Sequence, residues 1–312
     1  MLDSYVIWPP AGRYIVAVSG GADSMVLLHM LAAEAPARGY QLVVAHFDHG
    51  LRSSSAADAE LVRAVAASAG LPFELHRAGL GAASEAAART ARHSWLEQQR
   101  VGHGAAAILT AHHQDDLIET SLLNLARGSG RRGLAPMQSS STILRPLLNI
   151  SRAELRTHAT RQNLHWNEDP TNADVSNPRN LLRHKLLPTV GPEWRASYLE
   201  NVHTLATLNT KIDQSLSALL TYDRSAAASP VSSYCFARSS LVAAPDAVIA
   251  ELVVAAALRL RPGLQLSQRL LAEIAQYLRT ARGRTHRPLR EGVIVSIRTP
   301  YVYVHLGPLP KP

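Results

Sequence analysis

The sequence predicts an α/β protein: a parallel sheet first, a helical segment after it, and a small α+β domain at the end. Three observations carry this. Through about residue 130, short apolar runs rich in β-branched residues alternate with helical patterns, as in parallel strands joined by crossover helices. Those runs are apolar throughout rather than alternating, so the sheet is expected to be covered on both faces. After residue 128 the rhythm changes to mostly helical patterns, beginning with a glycine- and arginine-rich loop, RGSGRRGLAPM (127–137).

The elements follow in order. YIVAVS (14–19) is a strand, with a helix from Ala22 to about Ala35. QLVVAHF (41–47) is the second strand, followed by an alanine-rich helix near 56–69; LPFELH (71–76) is the third, followed by a long helix over 82–100. AAAILTAH (105–112) is the fourth strand, and a helix runs from about Asp115 to Arg127. ILRPLL (143–148) is a fifth strand with Pro146 near its end. Ser151 followed by Glu154 is a capping-box signature that starts a helix over 151–163. Residues 165–180 are polar and turn-rich, and helical patterns resume to about 222. DRSAAASPVSSY (223–234) reads as a linker, which gives two domains, 1–222 and 235–312. The second domain reads as a strand, helices over 241–260 and 266–281, and strands at 292–298 and 301–306.

With 312 residues, 46% of them hydrophobic and 18% charged, the chain has an ordinary globular composition. No apolar run approaches the ~20 residues that span a bilayer, and the opening MLDSYVIWPPAGR lacks a basic stretch followed by an apolar core, so neither a membrane segment nor a secretory signal is expected. One cysteine, Cys235, supports no internal disulfide, zinc cluster or iron–sulfur centre and fits a cytoplasmic protein. The net charge of +8 is unevenly spread: residues 1–125 carry 8 basic and 12 acidic side chains, residues 126–312 carry 24 and 12. That asymmetry points to a polyanion such as nucleic acid bound by the later region, or to a solvated arginine-rich surface.

SGGADS (Ser19, Gly20, Gly21, Ala22, Asp23, Ser24) lies between the first strand and the first helix. Backbone N–H groups and the helix dipole favour an anion at such a turn, and glycines let the backbone approach it closely. Asp23 suits a magnesium ion or a helix cap. A kinase-type phosphate loop requires G-x-x-x-x-G-K-[ST], and no lysine occurs before Lys185. SGGxDS at this turn resembles instead the pyrophosphatase loop of the N-type ATP pyrophosphatases. That resemblance implies the adenine nucleotide alpha hydrolase-like fold and cleavage of ATP between its α and β phosphates.

Two further strands end in polar clusters: AHFDHGLR (45–52), with His46, Asp48 and His49, and TAHHQDDLIET (110–120). In a helix starting near Gln114, Asp115 and Glu119 share one face, as do Asp116 and Glu119. Such carboxylates suit magnesium or a cationic substrate, and they also suit a helix N-terminus with no ligand. HFDHGLR, HHQDDLIET, RGSGRRGLAPM, RPLL and WNEDPTNADVSNPRNLLRHKLLP (166–188) occur here in the order and spacing of the tRNA(Ile)-lysidine synthetases, which the chain resembles over roughly 13–190.

That resemblance implies a ligase with ATP, Mg2+, L-lysine and the isoleucine tRNA with a CAU anticodon as its partners, working as a monomer or homodimer. The wobble cytosine is adenylated with loss of pyrophosphate, and the lysine amine then displaces AMP at C2. SGGADS would hold the β and γ phosphates. Asp115, Asp116 and Glu119 would bind lysine; Asp48 and His113 would serve metal or base work, with Asp23 and Asp48 as magnesium ligands. Arg127, Arg131 and Arg132 would hold phosphate or tRNA, and Arg179, Asn180 and Arg183 would lie against tRNA. The family pattern usually has Gln after the paired aspartates, where this chain has Leu117. A tRNA thiolase of the same fold and a nucleotide-binding protein without chemistry are the alternatives.

Overall fold

The computed structural model describes residues 2–50, 55–79, 85–168, 174–222, 233–264 and 266–307. In chain order the first elements are β1 (Gly12–Ala17), α1 (Ala22–Arg38), β2 (Tyr40–Asp48), α2 (Ser55–Ser68) and β3 (Phe73–Arg77). Next come α3 (Glu85–Gly102), β4 (Ala107–Leu109), α4 (Gln114–Ala126), α5 (Arg131–Leu134), β5 (Ile143–Leu144) and α6 (Arg152–Arg161). Then follow α7 (Pro178–Leu181), α8 (Pro192–Leu219), β6 (Thr221–Tyr222), β7 (Ser233–Ala237) and α9 (Arg238–Ala243). The chain continues through α10 (Asp246–Leu260), α11 (Gln268–Thr280), β8 (Thr285–Pro288), β9 (Val293–Arg298) and β10 (Tyr301–Leu306). These divide into two units: residues up to 123 with 136–199, and residues 124–135 with 200–307. The linker expected at 223–234 falls mostly outside the described residues.

In the first unit the sheet has the order β3-β2-β1-β4-β5, and every neighbouring pair is parallel. Alternate residues of each strand go to opposite faces. Tyr14, Val16, Leu42 and Val44 join one buried cluster, with Leu28 of α1, Val62 of α2 and Leu155 of α6. Ile15, Val43, Ala45 and Phe47 join the other, with Trp95 and Leu96 of α3. Burial on both faces is why these strands are apolar throughout.

In the second unit the antiparallel sheet has the order β6-β7-β10-β9-β8. Val293, Val295 and Ile297 of β9 pack with Val302 and Val304 of β10, Val253 of α10 and Ile274 of α11.

Differences from the sequence expectation are local. The first helix runs past Pro36 and stops at Gly39, whose left-handed backbone caps it and donates to Ala35 O. The fourth strand shrinks to three residues, because residues 110–113 form the turn of a polar site. The fifth strand covers only Ile143 and Leu144; Pro146, two residues on, lacks a ladder N–H. The helix expected over 241–260 is two helices, since Pro245 stands between α9 and α10. Strands β6 and β8 were not expected: one has two residues, and the other, THRP, has no apolar alternation. The capping box at α6 is present, with Ser151 Oγ accepting from Glu154 N and Glu154 Oε2 accepting from Ser151 N (2.9 Å).

Leu109 on β4 is fully buried. Leu109→Ala should lower the unfolding free energy by about 2–5 kcal/mol, measured by urea denaturation.

Candidate active site

Strand order reverses at β1: the chain runs outward through β2 and β3 on one side, and β4 and β5 lie on the other. Ligands of open parallel sheets bind beyond the strand carboxyl ends at such a switch point. The turns after β1 and β4 both open there, onto a cleft of about 690 Å³ whose walls include Ser19, Asp23, His46, His113 and Asp116.

The β1–α1 turn is shaped by its own residues. Gly20 has a left-handed backbone (φ 87°), and a Cβ there would stand 3.3 Å from Asp58 Cβ. Ser24 Oγ accepts from Ser19 N (3.2 Å) and donates to Gly21 O (2.8 Å). The N-cap of α1 is Gly21, so no cap side chain covers the first helical amides, which leaves an anion-binding terminus. Asp23 Oδ1 is buried with no hydrogen-bond partner, while Asp23 Oδ2 lies 3.5 Å from His113 Nε2.

His113 precedes α4 and is 2% exposed. Its N–H donates to Asp116 Oδ2 (3.1 Å), and its Nε2 lies 3.4 Å from the same oxygen. Burial opposes its protonation, but Asp23, Asp116 and Asp115 outweigh burial and raise its pKa. The Asp116 pKa is lowered: burial raises it, and His113, His112 and Arg179 more than compensate.

The three carboxylates of α4 diverge. Asp116 borders the main cleft and accepts from Arg183 Nη2 (3.3 Å), whereas Asp115 and Glu119 line an adjoining depression of about 580 Å³ that shares Arg183 with it. Asp115 accepts from Arg195 Nη1 (2.9 Å) and from Arg152 N (2.8 Å) at the start of α6. Glu119 is fully buried and receives Arg179 Nε (3.0 Å) together with Arg183 Nε (2.7 Å) and Nη2 (2.9 Å). Arg179 and Arg183, one turn apart, are therefore bound to α4. Asn180 is 7% exposed, and its amide donates to Asp174 O (2.9 Å), which makes it an internal brace. Leu117 is buried, so its departure from the family pattern removes no contact facing solvent.

Of the remaining sequence candidates, His46, Asp48 and His49 also line the main cleft. Asp48 Oδ1 accepts from Gly50 N (2.8 Å) and closes the turn after β2. His46 Nδ1 bonds Val18 O (2.8 Å); burial lowers its pKa, so it is a neutral brace between β2 and the end of β1. Arg127, Arg131 and Arg132 belong to the second unit. Arg131 and Arg132 are both paired with Asp213 and Glu251 (2.6–2.9 Å), and Arg127 is exposed.

Sequence reasoning missed a cationic wall. Arg89, Arg92 and His93 of α3 line the main cleft with His112, and the Arg145 charge behind them acts on both histidines. Burial, then Arg89, lowers the pKa of both Arg92 and Arg145. Burial, opposed by Asp116 and aided by the three arginines, pushes His112 down to about 4. Arg145 Nε is buried with no partner. The 89/92/93 spacing in AARTARH puts three basic side chains on one helix face, and this was the available signal. Asp58 and Asn167, which touch the β1–α1 turn, gave no such signal. Among the described residues no group of three or more His, Cys, Asp or Glu is arranged to hold a metal ion, and no helix is long and apolar enough to cross a membrane.

A glycine turn thus opens at the switch point of a parallel sheet, on a cleft that arginines also line. The chain belongs to the PP-loop domain family, whose profile matches residues 3–190. Proteins called tRNA(Ile)-lysidine synthase are similar to it. That of Alkalilimnicola ehrlichii is 46% identical over 59% of this chain and 43% of its own. That of Pseudomonas aeruginosa is 40% identical over 62% and 45%, and that of Gloeobacter violaceus 41% identical over 58% and 57%. The chain thus spans about half the length of the curated relatives it matches. In fold it is similar to the U34-tRNA thiolase NcsA from Methanococcus maripaludis, solved with its [4Fe-4S] cluster, at a TM-score of 0.54, 14% identity, and coverage of 65% of this chain and 76% of that one.

Because folding raises the His113 pKa, its charged form stabilises the fold fully below its unfolded value of about 6.5, and this contribution is lost as pH rises through the folded pKa. The stability difference between the native protein and His113→Gln should therefore narrow as pH rises from 6 to 9, measured by urea denaturation across that range.

Proposed function

We propose that the chain ligates L-lysine to C2 of the wobble cytidine of the isoleucine tRNA with a CAU anticodon, consuming ATP. The cytosine C2 oxygen attacks the α phosphate and pyrophosphate leaves. The lysine ε-amine, having lost its proton, then attacks C2, and AMP leaves with the bond to oxygen. The observation that carries this reading is the charge arrangement of one cleft: a phosphate-type turn carrying Asp23, the arginines Arg89 and Arg92, and the carboxylate of Asp116 line it together. The similarity to the lysidine synthases supports the particular substrates.

Ser19 to Ser24 and the Arg89–Arg92–Arg145 wall would take the triphosphate, fixed dipoles and charges favouring pyrophosphate as it departs. The unpartnered Asp23 Oδ1 fits a Mg2+ ion, which would neutralise phosphate charge. Asp48 Oδ1 holds Gly50 N, and its other oxygen would serve as a second ligand of the ion from the cleft wall. Lysine arrives protonated, so a carboxylate must hold its ammonium and a base must take the proton. Asp116, on the cleft wall, is assigned to the ammonium and His113 to the proton; Asp115 and Glu119 would hold Arg195, Arg179 and Arg183 in place. The basic second unit, with Arg282, Arg284 and Arg290 exposed around β8, would contribute to tRNA binding.

The test is incubation with ATP, labelled lysine and the CAU tRNA transcript. Lysine incorporation is expected; its absence with folded protein, or sulfur incorporation from a donor, overturns the reading. Asp23→Ala should abolish pyrophosphate release and leave tRNA affinity within about twofold, as judged by filter binding.

A further inference from the structure

We infer that Asn167 and Asp58 are positioning residues that lock the pyrophosphate loop in its phosphate-accepting shape. The Gly20 carbonyl accepts the Asn167 backbone N–H at 3.0 Å. The Asn167 side chain adds a second bond, with Nδ2 donating to Asp58 Oδ1 at 2.7 Å. Asp58 is buried, and its Cβ would lie 3.3 Å from a Cβ on Gly20. One asparagine thus ties the loop to α2.

The asparagine is itself pinned on both sides. Trp166 Nε1 donates to Glu168 Oε1 (2.9 Å), and Glu168 receives the Arg156 guanidinium from α6. Helix α6 packs on α1, the helix that the loop opens. The frame holding Gly20 is therefore anchored to the element whose N-terminus it presents.

The consequence lies in one peptide plane. The C=O of Gly20 and the N–H of Gly21 point in opposite directions. Holding the oxygen on Asn167 holds the N–H on the opposite side, at Gly21, which lines the cleft, and that N–H has only a 3.4 Å contact with Ser19 Oγ. Without the side-chain bond to Asp58, the Asn167 backbone N–H is no longer held against Gly20 O, and glycine permits the peptide to flip, turning a carbonyl oxygen toward the phosphates. The effect falls on the β and γ phosphates, so it separates ATP from AMP.

This rests on the ATP reading above, and calorimetric titration of the full chain with ATP and with AMP, both with Mg2+, distinguishes the two. Native protein is expected to prefer ATP. Asn167→Leu and Asn167→Asp should each weaken ATP binding tenfold or more and leave AMP binding unchanged. The exchanged pair Asp58→Asn with Asn167→Asp, which restores donor and acceptor in reverse, should recover ATP affinity. Three results overturn the positioning role alone: unchanged ATP affinity in Asn167→Leu, equal losses for ATP and AMP, or no recovery in the exchanged pair. A native protein with no preference for ATP over AMP overturns the ATP reading and this inference together.

Discussion

The pairing of β1 with both β2 and β4 is the constraint on which the rest of the first unit depends. Val16 stands between Val44 and Leu109 in register, and the strand order turns back on itself there. Two turns far apart in sequence consequently open on one crevice. No side chain of SGGADS or HHQDD would meet the other without that reversal. The apolar run that seemed merely to signal a strand is what holds the chemistry together.

The site is a balance of charges set at short range. Asp23, Asp115 and Asp116 surround His113 closely enough to raise its pKa against burial. Beside the cleft, burial and then the Arg89 charge lower the pKa of the Arg92 and Arg145 guanidiniums, as desolvation and a like charge require. Glu119 shows the opposite case. Its charge is buried, and three guanidinium nitrogens compensate it, as a carboxylate out of water requires.

Adjacent residues in one motif divide between these tasks. Asp115 and Asp116 differ by 100° around α4, so one meets Arg195 and the start of α6 while the other meets the cleft. The motif HHQDDLIET reads as a single cluster, yet half of it is scaffold. Arg131 and Arg132 follow the same logic in the second unit, where Asp213 and Glu251 already neutralise them.

The sequence by itself determined the alternation of strands and helices, the parallel sheet, the glycine turn and the capping box at Ser151, because these follow from local periodicity and local hydrogen bonding. It also showed which residues carry charge in that turn and at the head of α4. The tertiary structure alone decided which charges meet. The pairing of Glu119 with Arg179 and Arg183 spans some sixty residues, and Asn167 reaches Asp58 across more than a hundred. Such contacts leave no periodic trace, since their partners are brought together by the sheet order and not by spacing along the chain.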